Sequence, residues 1–184
     1  MKKTLGIIIA VVVLVLVYGF ATYNNLVTLN IEADAKWKQV EVDYQRRFDL
    51  IPGLVESVKG VMKQETAVFS AIADARTRYA GAVTPNDKAA AAGQVESALG
   101  RLLVITENYP ELKSSNVMMT FMSQNEGTEN RISVERMRFN ESIKAYNLKV
   151  MRIPSSIIAA LTGFKERAYF EAAPGSEKAP EVKF

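Results

Sequence analysis

Residues 5–21 read LGIIIAVVVLVLVYGFA, seventeen consecutive positions without a charge. Wound as a helix they reach roughly 25 Å, at the short end of what a hydrocarbon layer of about 30 Å demands. Thr22 and Tyr23 extend the stretch, and Tyr18 and Tyr23 suit the interfacial level, where a ring packs while its hydroxyl stays wet. The expected transmembrane helix is therefore 5–23. A cleaved secretory leader is the competing reading, because Gly19-Phe20-Ala21 offers small residues at a signal-peptidase spacing. Leader cores run about 7–15 apolar residues, shorter than this one, which favours a retained anchor. Lys2 and Lys3 precede the span, and the next positive charge is Lys36. The positive-inside rule then sets residues 1–4 in the cytoplasm and the following domain outside, with the membrane crossed once.

Outward from the anchor, composition removes whole classes of chemistry. Lys and Arg total 23 against 20 Asp and Glu; without Lys2 and Lys3 the balance is 21 to 20, nearly neutral. The domain thus lacks the basic footprint of a nucleic-acid binder. There is no Cys and no His. Disulfides, thiolate nucleophiles, imidazole bases and the usual zinc ligand sets go with them. No nucleophile elbow, phosphate loop or metal-ligand spacing occurs, so no catalytic, cofactor or metal residue is assigned and an enzyme is not expected.

The rest of the chain is patterned for helices. Four stripes recur at spacings of three and four: Leu26, Asn30, Ala33, Trp37, Val40, Tyr44; then Leu54, Val58, Val61, Glu65, Val68, Ile72, Ala75, Tyr79; then Ala91, Val95, Ala98, Leu102, Ile105, Tyr109; and Phe121, Asn125, Thr128, Ile132, Arg136, Phe139, Ile143, Tyr146, Val150. That period belongs to helices crossing at small angles. Short links between long helices favour antiparallel neighbours, so the expected fold is all-α: an antiparallel four-helix bundle, up-down-up-down, over 24–171. Pro52 fits the first turn of the second helix with Asp49 as cap, or a kink in a continuous one. Ala80 to Val83 ends that helix. Thr84 is the expected N-cap of the third, with Pro85 at its first position and Asp87 closing a capping box. Pro110 should end the third, Ser114 or Ser115 cap the fourth and Ile153-Pro154 stop it. A short helix from Ser155 then ends at Gly163. The tail 172–184, with Pro174, Gly175 and Pro180, is expected to be unstructured.

Several strings carry a resemblance. They are Tyr23-Asn24-x-Leu26-Val27, Trp37-x-Gln39-Val40-x-Val42 and Arg46-Arg47-x-Asp49-Leu50-Ile51-Pro52-x-Leu54-Val55-Glu56-x-Val58-Lys59-Gly60. Further on come Gly100-Arg101-Leu102, Glu107-x-Tyr109-Pro110-x-Leu112-Lys113, Gly127-Thr128-Glu129-Asn130-Arg131-Ile132, Phe139-Asn140, Tyr146-Asn147 and Gly163-Phe164-Lys165-x-x-x-Tyr169-Phe170. In this order, over nearly the whole chain, they resemble the LemA family of bacterial membrane proteins. The resemblance implies a single N-terminal span, an antiparallel helical bundle and no established enzymatic activity; a member in magnetotactic bacteria is associated with building magnetosome membranes. Three positions depart from the pattern: Gly53 replaces the usual Asn and its side-chain hydrogen bond, Phe139 stands where Tyr is common, and 116–124 is richer in Met.

Polar residues in an apolar seam cost stability unless paired. Arg46, Arg47, Glu65, Glu107, Glu129, Asn130 and Arg131 are the expected members of a polar network that sets register. A solvated seam and a carboxylate cation site are its alternatives. Asp43, three and four residues before the arginines, is their expected local partner. Gly127 in mid-helix calls for a packing reason, since Gly there costs about 1 kcal/mol against Ala. Met118, Met119 and Met122, with Phe164, Tyr169 and Phe170, form the candidate partner surface, because flexible thioethers and aromatics suit adaptable contacts. Core filling is the competing reading for the methionines. The functional expectation is a membrane-anchored scaffold or adaptor acting through protein partners or homo-oligomers. The alternative is an extracytoplasmic sensor binding a small ligand or cation between the helices.

Overall fold

In the computed structural model the described residues are 2–62, 65–113 and 115–171, with Lys113 described by its backbone alone. The expected tail 172–184 lies outside them. Among the described residues all regular structure is helical, in six elements: α1 (Lys2–Lys59), α2 (Thr66–Gly81), α3 (Pro85–Thr106), α4 (Pro110–Lys113), α5 (Asn116–Met151) and α6 (Ser155–Thr162).

The first two expected helices are divided differently from the stripes. α1 runs straight through Pro52, so Leu54 and Val58 complete it, while Ile72, Ala75 and Tyr79 are the buried face of α2. Proline in a helix interior costs about 3 kcal/mol. Here Pro52 stands on the exposed side, and Ile51, Leu54 and Val58 are each 1% exposed on the other. Burying one such side chain contributes about 1.5–3 kcal/mol, so the apolar face outweighs the missing N–H. The helix ends instead at Lys59, just before Gly60, and the Val61 and Met62 amides both donate back to the Val58 carbonyl at 3.1 and 2.9 Å.

The turn into α3 follows the capping chemistry. The Thr84 hydroxyl accepts from the Asp87 amide at 3.1 Å and donates to the Asp87 carboxylate at 2.6 Å. Pro85 occupies the first turn, where no N–H is missed. α2 and α3 pack together, with an alanine-rich face (Ala91, Ala92, Ala98) on α3 that lets backbones approach. α3 ends at Thr106, and Pro110 opens the single turn of α4 rather than closing α3. Ser115 caps α5, its hydroxyl accepting from the Met118 amide at 3.2 Å. A Cβ at Gly127 would meet nothing within 4 Å, so close packing does not require that glycine. Gly163 does need its freedom: at φ +80° it caps α6 in the left-handed region, and the Phe164 amide turns back to the Ala159 carbonyl at 3.0 Å.

The chain divides into two compact units. One comprises the described residues of Met1–Lys38 and Met137–Tyr169, the other those of Gln39–Arg136 and Phe170–Phe184. In the first, Leu26, Ala33, Trp37, Phe139, Ile143 and Tyr146 are buried, and the Trp37 and Phe139 rings meet at 5.3 Å. In the second, Phe48, Ile51, Leu54, Val95, Leu99, Leu102, Phe121 and Ile132 are buried. α1 also holds one window long and apolar enough to cross a membrane, none of it buried within the protein.

Candidate functional site

In the second unit the central feature is a charge sunk among apolar groups. Arg47 follows Tyr44 by three residues and precedes Ile51 by four, so the helix turns it inward; it is 1% exposed. Its guanidinium forms an ion pair with Glu129 and a longer one with Glu96 at 3.8 Å, not with Asp43 on its own helix. Its Nε donates to no acceptor. Burial pushes the Arg47 guanidinium below its usual range; Glu96 and Tyr44 draw it back, and the like charge of Arg136 lowers it further. Burial is the largest cause, and because two ions lose their water in such a site, the pair is weak evidence of net stability and stronger evidence of fixed geometry.

Beside it, the Tyr44 hydroxyl accepts from Arg136 Nε at 3.1 Å and Nη2 at 2.6 Å. Burial pushes the Tyr44 phenol up, and the Arg136 charge and hydrogen bonds pull it back. The Arg136 guanidinium also lies over the rings of Tyr44 and Phe170, 5.4 and 4.7 Å from their centroids. Phe48 and Tyr79 extend this aromatic cluster edge-on, with centroids 4.6 Å apart. Lys88 pairs with Glu41 and stands over the Tyr79 ring at 5.8 Å. Burial, then the Glu41 charge, pushes the Tyr79 phenol up.

Of the seven residues expected in the polar network, the structure brings Arg47 and Glu129 together. Arg46, Glu107, Asn130 and Arg131 are exposed, and Glu65 is half-buried just before α2 with no side-chain cap hydrogen bond. Glu96, Tyr44 and Arg136 complete the cluster. Arg136 was legible as a polar member of its stripe, whereas nothing local in the sequence points to Glu96. Among the candidate partner residues Met118 is buried, while Met119, Met122 and Tyr169 are exposed. Phe170 lies under Arg136, and Phe164 is half-buried. At the start of α5 a shallow groove of about 310 Å³ is lined by Leu50, Gly53, Leu54, Val117, Thr120 and Phe121; Met119 and Met122 are exposed on the same turns but do not line it. One turn further along α5, Asn125 Oδ1 is buried and accepts no hydrogen bond.

The first unit has a different polar device, a strap. After Gly163 the chain has no regular structure, and α5 holds it by its backbone. Tyr146 donates its hydroxyl to the Lys165 carbonyl at 2.9 Å. Asn147 donates to the Arg167 carbonyl at 2.8 Å and accepts from the Arg167 amide at 2.9 Å. The Arg167 side chain reaches α1, donating to Asn30 Oδ1 at 2.9 Å, to the Asn30 carbonyl at 3.2 Å and to Asp34 at 2.7 Å. The Phe164 ring lies 6.0 Å from Tyr23 and 6.4 Å from Tyr146. Both devices hold structure, and neither presents a nucleophile beside a base. Among the described residues no three Asp or Glu side chains cluster as a metal site.

Two of the most similar relatives are magnetosome protein MamQ of Magnetospirillum gryphiswaldense, 30% identical over 181 residues, and magnetosome protein MamQ 2 of Paramagnetospirillum magneticum, 29% identical over the same length. Each match covers 84% of this chain but 66% of the relative, just under two thirds of its length. Neither name denotes an enzymatic activity. The apolar helix and these relatives mark a membrane-associated helical protein. With the family model matching residues 36–184, the chain belongs to the LemA family.

Proposed function

We propose that this protein is a membrane-anchored scaffold or adaptor that acts through protein–protein contact or self-association outside the cytoplasm. In this reading residues 1–4 lie inside, 5–23 cross the inner membrane, and 24–171 form an up-down-up-down bundle of four long helices. The observation that carries it is the apolar rim at the start of α5. Val117 at the groove, and Met119 and Met122 on the same two turns of α5, are each about half exposed, whereas Arg47 and Arg136 of the same unit are engaged with Glu129 and Tyr44. Exposed thioethers adapt to a partner's shape, and a membrane tether raises the local concentration of such surfaces. The relatives named as magnetosome proteins accord with work at a membrane.

The full chain in detergent should run well above its 20.4 kDa monomer mass. Met122→Lys should weaken that association about 30-fold, the effect of losing roughly 2 kcal/mol at a contact centre. A monomer at every concentration removes the self-association form. If photo-crosslinking from position 122 in cells also yields no protein adduct, the adaptor form goes too.

One observation favours a second reading, a sensor that takes a cation or small polar ligand between helices: the buried, unpartnered Asn125 Oδ1. It requires a thermal shift with some divalent cation or polar metabolite that Asn125→Leu abolishes. A broad panel without a shift ends it.

A further inference from the structure

α6 is an apolar helix with little protein to cover it. From Ile153 to Phe164 there is no charge, and Arg152 and Lys165 flank the stretch. Ile153 is 84% exposed, Ile157 57% and Leu161 78%. Water-facing helices rarely show three large aliphatics on one short turn-and-helix; an interfacial membrane helix does. Its position within the first unit supplies the reason. Ile158 Cδ1 lies 3.6 Å from where a Cβ on Gly19 would stand, so α6 packs against the apolar stretch of α1.

The depth follows from helix geometry. Gly19 is five residues from Leu14, the middle of 5–23, which is about 8 Å along the axis. Half a hydrocarbon layer is about 15 Å, and any tilt brings Gly19 nearer the midplane. A helix touching Gly19 therefore stands at acyl-chain depth whenever α1 crosses the bilayer. The polar groups of α6 are arranged for such a medium, where every unmet backbone group is costly. The Ser155 hydroxyl donates to the carbonyls of Lys149 and Arg152 at 2.7 and 2.8 Å, and that of Thr162 donates to the Ile158 carbonyl at 2.6 Å. Exposed Arg152 and Lys165 have the reach to lift their charges to lipid phosphates.

We infer that α6 is a second membrane element: residues 153–164 insert into the leaflet on the domain's side, shoulder to shoulder with the spanning helix, with Arg152 and Lys165 on the headgroups. The occupant of its exposed face is lipid. This goes beyond the scaffold reading and needs only that α1 span the membrane.

The chain has no Cys, so single substitutions can each carry one environment-sensitive dye. Leu14→Cys, Ala145→Cys, Ile153→Cys, Ile157→Cys and Leu161→Cys are labelled in the full chain. They are reconstituted in phosphatidylcholine vesicles containing a minor fraction of phosphatidylglycerol. The dye at 157 and 161, and less deeply at 153, should emit to the blue, be quenched by doxyl-labelled lipid and be sheltered from iodide, as at 14. Exposed Ala145 should behave oppositely. Iodide quenching at 157 and 161 equal to that at 145, with 14 still in lipid, overturns the proposal and leaves the scaffold reading standing. Iodide reaching position 14 overturns both the proposal and the anchor. Shielding of 161 from iodide and lipid alike, with Leu161→Cys chains crosslinking to each other, makes a second copy the occupant and also overturns it.

Discussion

Two arginines, one in each unit, put the same cation to opposite uses. Arg47 is almost wholly buried and answered by carboxylates, Glu129 and Glu96. Arg167 sits at an edge and spends its donors mainly on neutral oxygens of Asn30, while Asn147 grips its backbone. A charge inside a low-dielectric core must be paired or the element moves; a charge at the rim is a multi-pronged donor whose formal charge matters little. The second unit is therefore expected to fail through electrostatics and the first through lost hydrogen bonds.

Glu129→Ala should break the comparison open most widely. It leaves Arg47 buried with only the more distant Glu96, and denaturant unfolding should show a loss of about 3 kcal/mol, the low end for an orphaned buried charge. Replacing the pair together, Arg47→Met with Glu129→Leu, should return to within about 1 kcal/mol of the parent, because the desolvation cost of a buried pair offsets most of its attraction. A double variant as weak as Glu129→Ala would show the pair to be a net stabiliser. Next in size, Asn147→Ala removes both clamps on the Arg167 backbone from a buried position. About 2 kcal/mol is expected, felt first as faster amide exchange at Arg167. Unchanged exchange there would mean that Phe164 and Tyr146 hold the strap without it.

These residues also show what the chain made legible. The first, third and fourth stripes are periodic because each buried face must stay on one side of its helix, while the second is divided between α1 and α2; the Thr84-Pro85-Asp87 cap and the Gly163 stop are local chemistry that needs no tertiary partner. Pro52 against Gly60 was not decidable locally: a proline's penalty competes with the burial of Ile51, Leu54 and Val58, a sum known only once their neighbours are placed. Both Arg46 and Arg47 were expected in the network; the helical phase of Tyr44, three residues before Arg47, is the signal that would have singled out the inward one. Glu96 and Arg167 lay beyond reach, since each meets its partners across dozens of residues with nothing periodic to mark it. α6 was legible as a short helix ending at glycine; its seat against Gly19 was not.

A smaller effect, common to both units, depends on pH. Burial raises the Tyr44 and Tyr79 phenols in the second unit and the Tyr146 phenol in the first. Each folded value exceeds the unfolded one near 10, so the neutral forms support folding fully below about pH 10, and that support is lost as pH rises through the folded values. Tyr79→Phe should move the alkaline unfolding midpoint upward. A midpoint that stays put would mean that Tyr79 does not ionise on unfolding in that range, and Tyr44→Phe would then be the variant to carry the shift.

The smallest expected effect is the most exacting test of the contrast. Asp34 completes the Arg167 constellation with a 2.7 Å ion pair, yet its side chain is 58% exposed. Exposed pairs are worth about 0–1 kcal/mol, and salt screens them over about 10 Å at 0.1 M. Asp34→Asn keeps an acceptor for the guanidinium while removing the charge, so it should cost less than about 0.5 kcal/mol, and that cost should vanish as NaCl is raised. The Glu129→Ala deficit should survive the same titration, because the Arg47 guanidinium is closed to counterions. If both deficits fell together with salt, the Arg47 site would be open to solvent in solution and the two arginines would differ in degree only. If neither moved, Asp34 would be acting through hydrogen-bond geometry, and the rim of the first unit would be as tightly built as the core of the second.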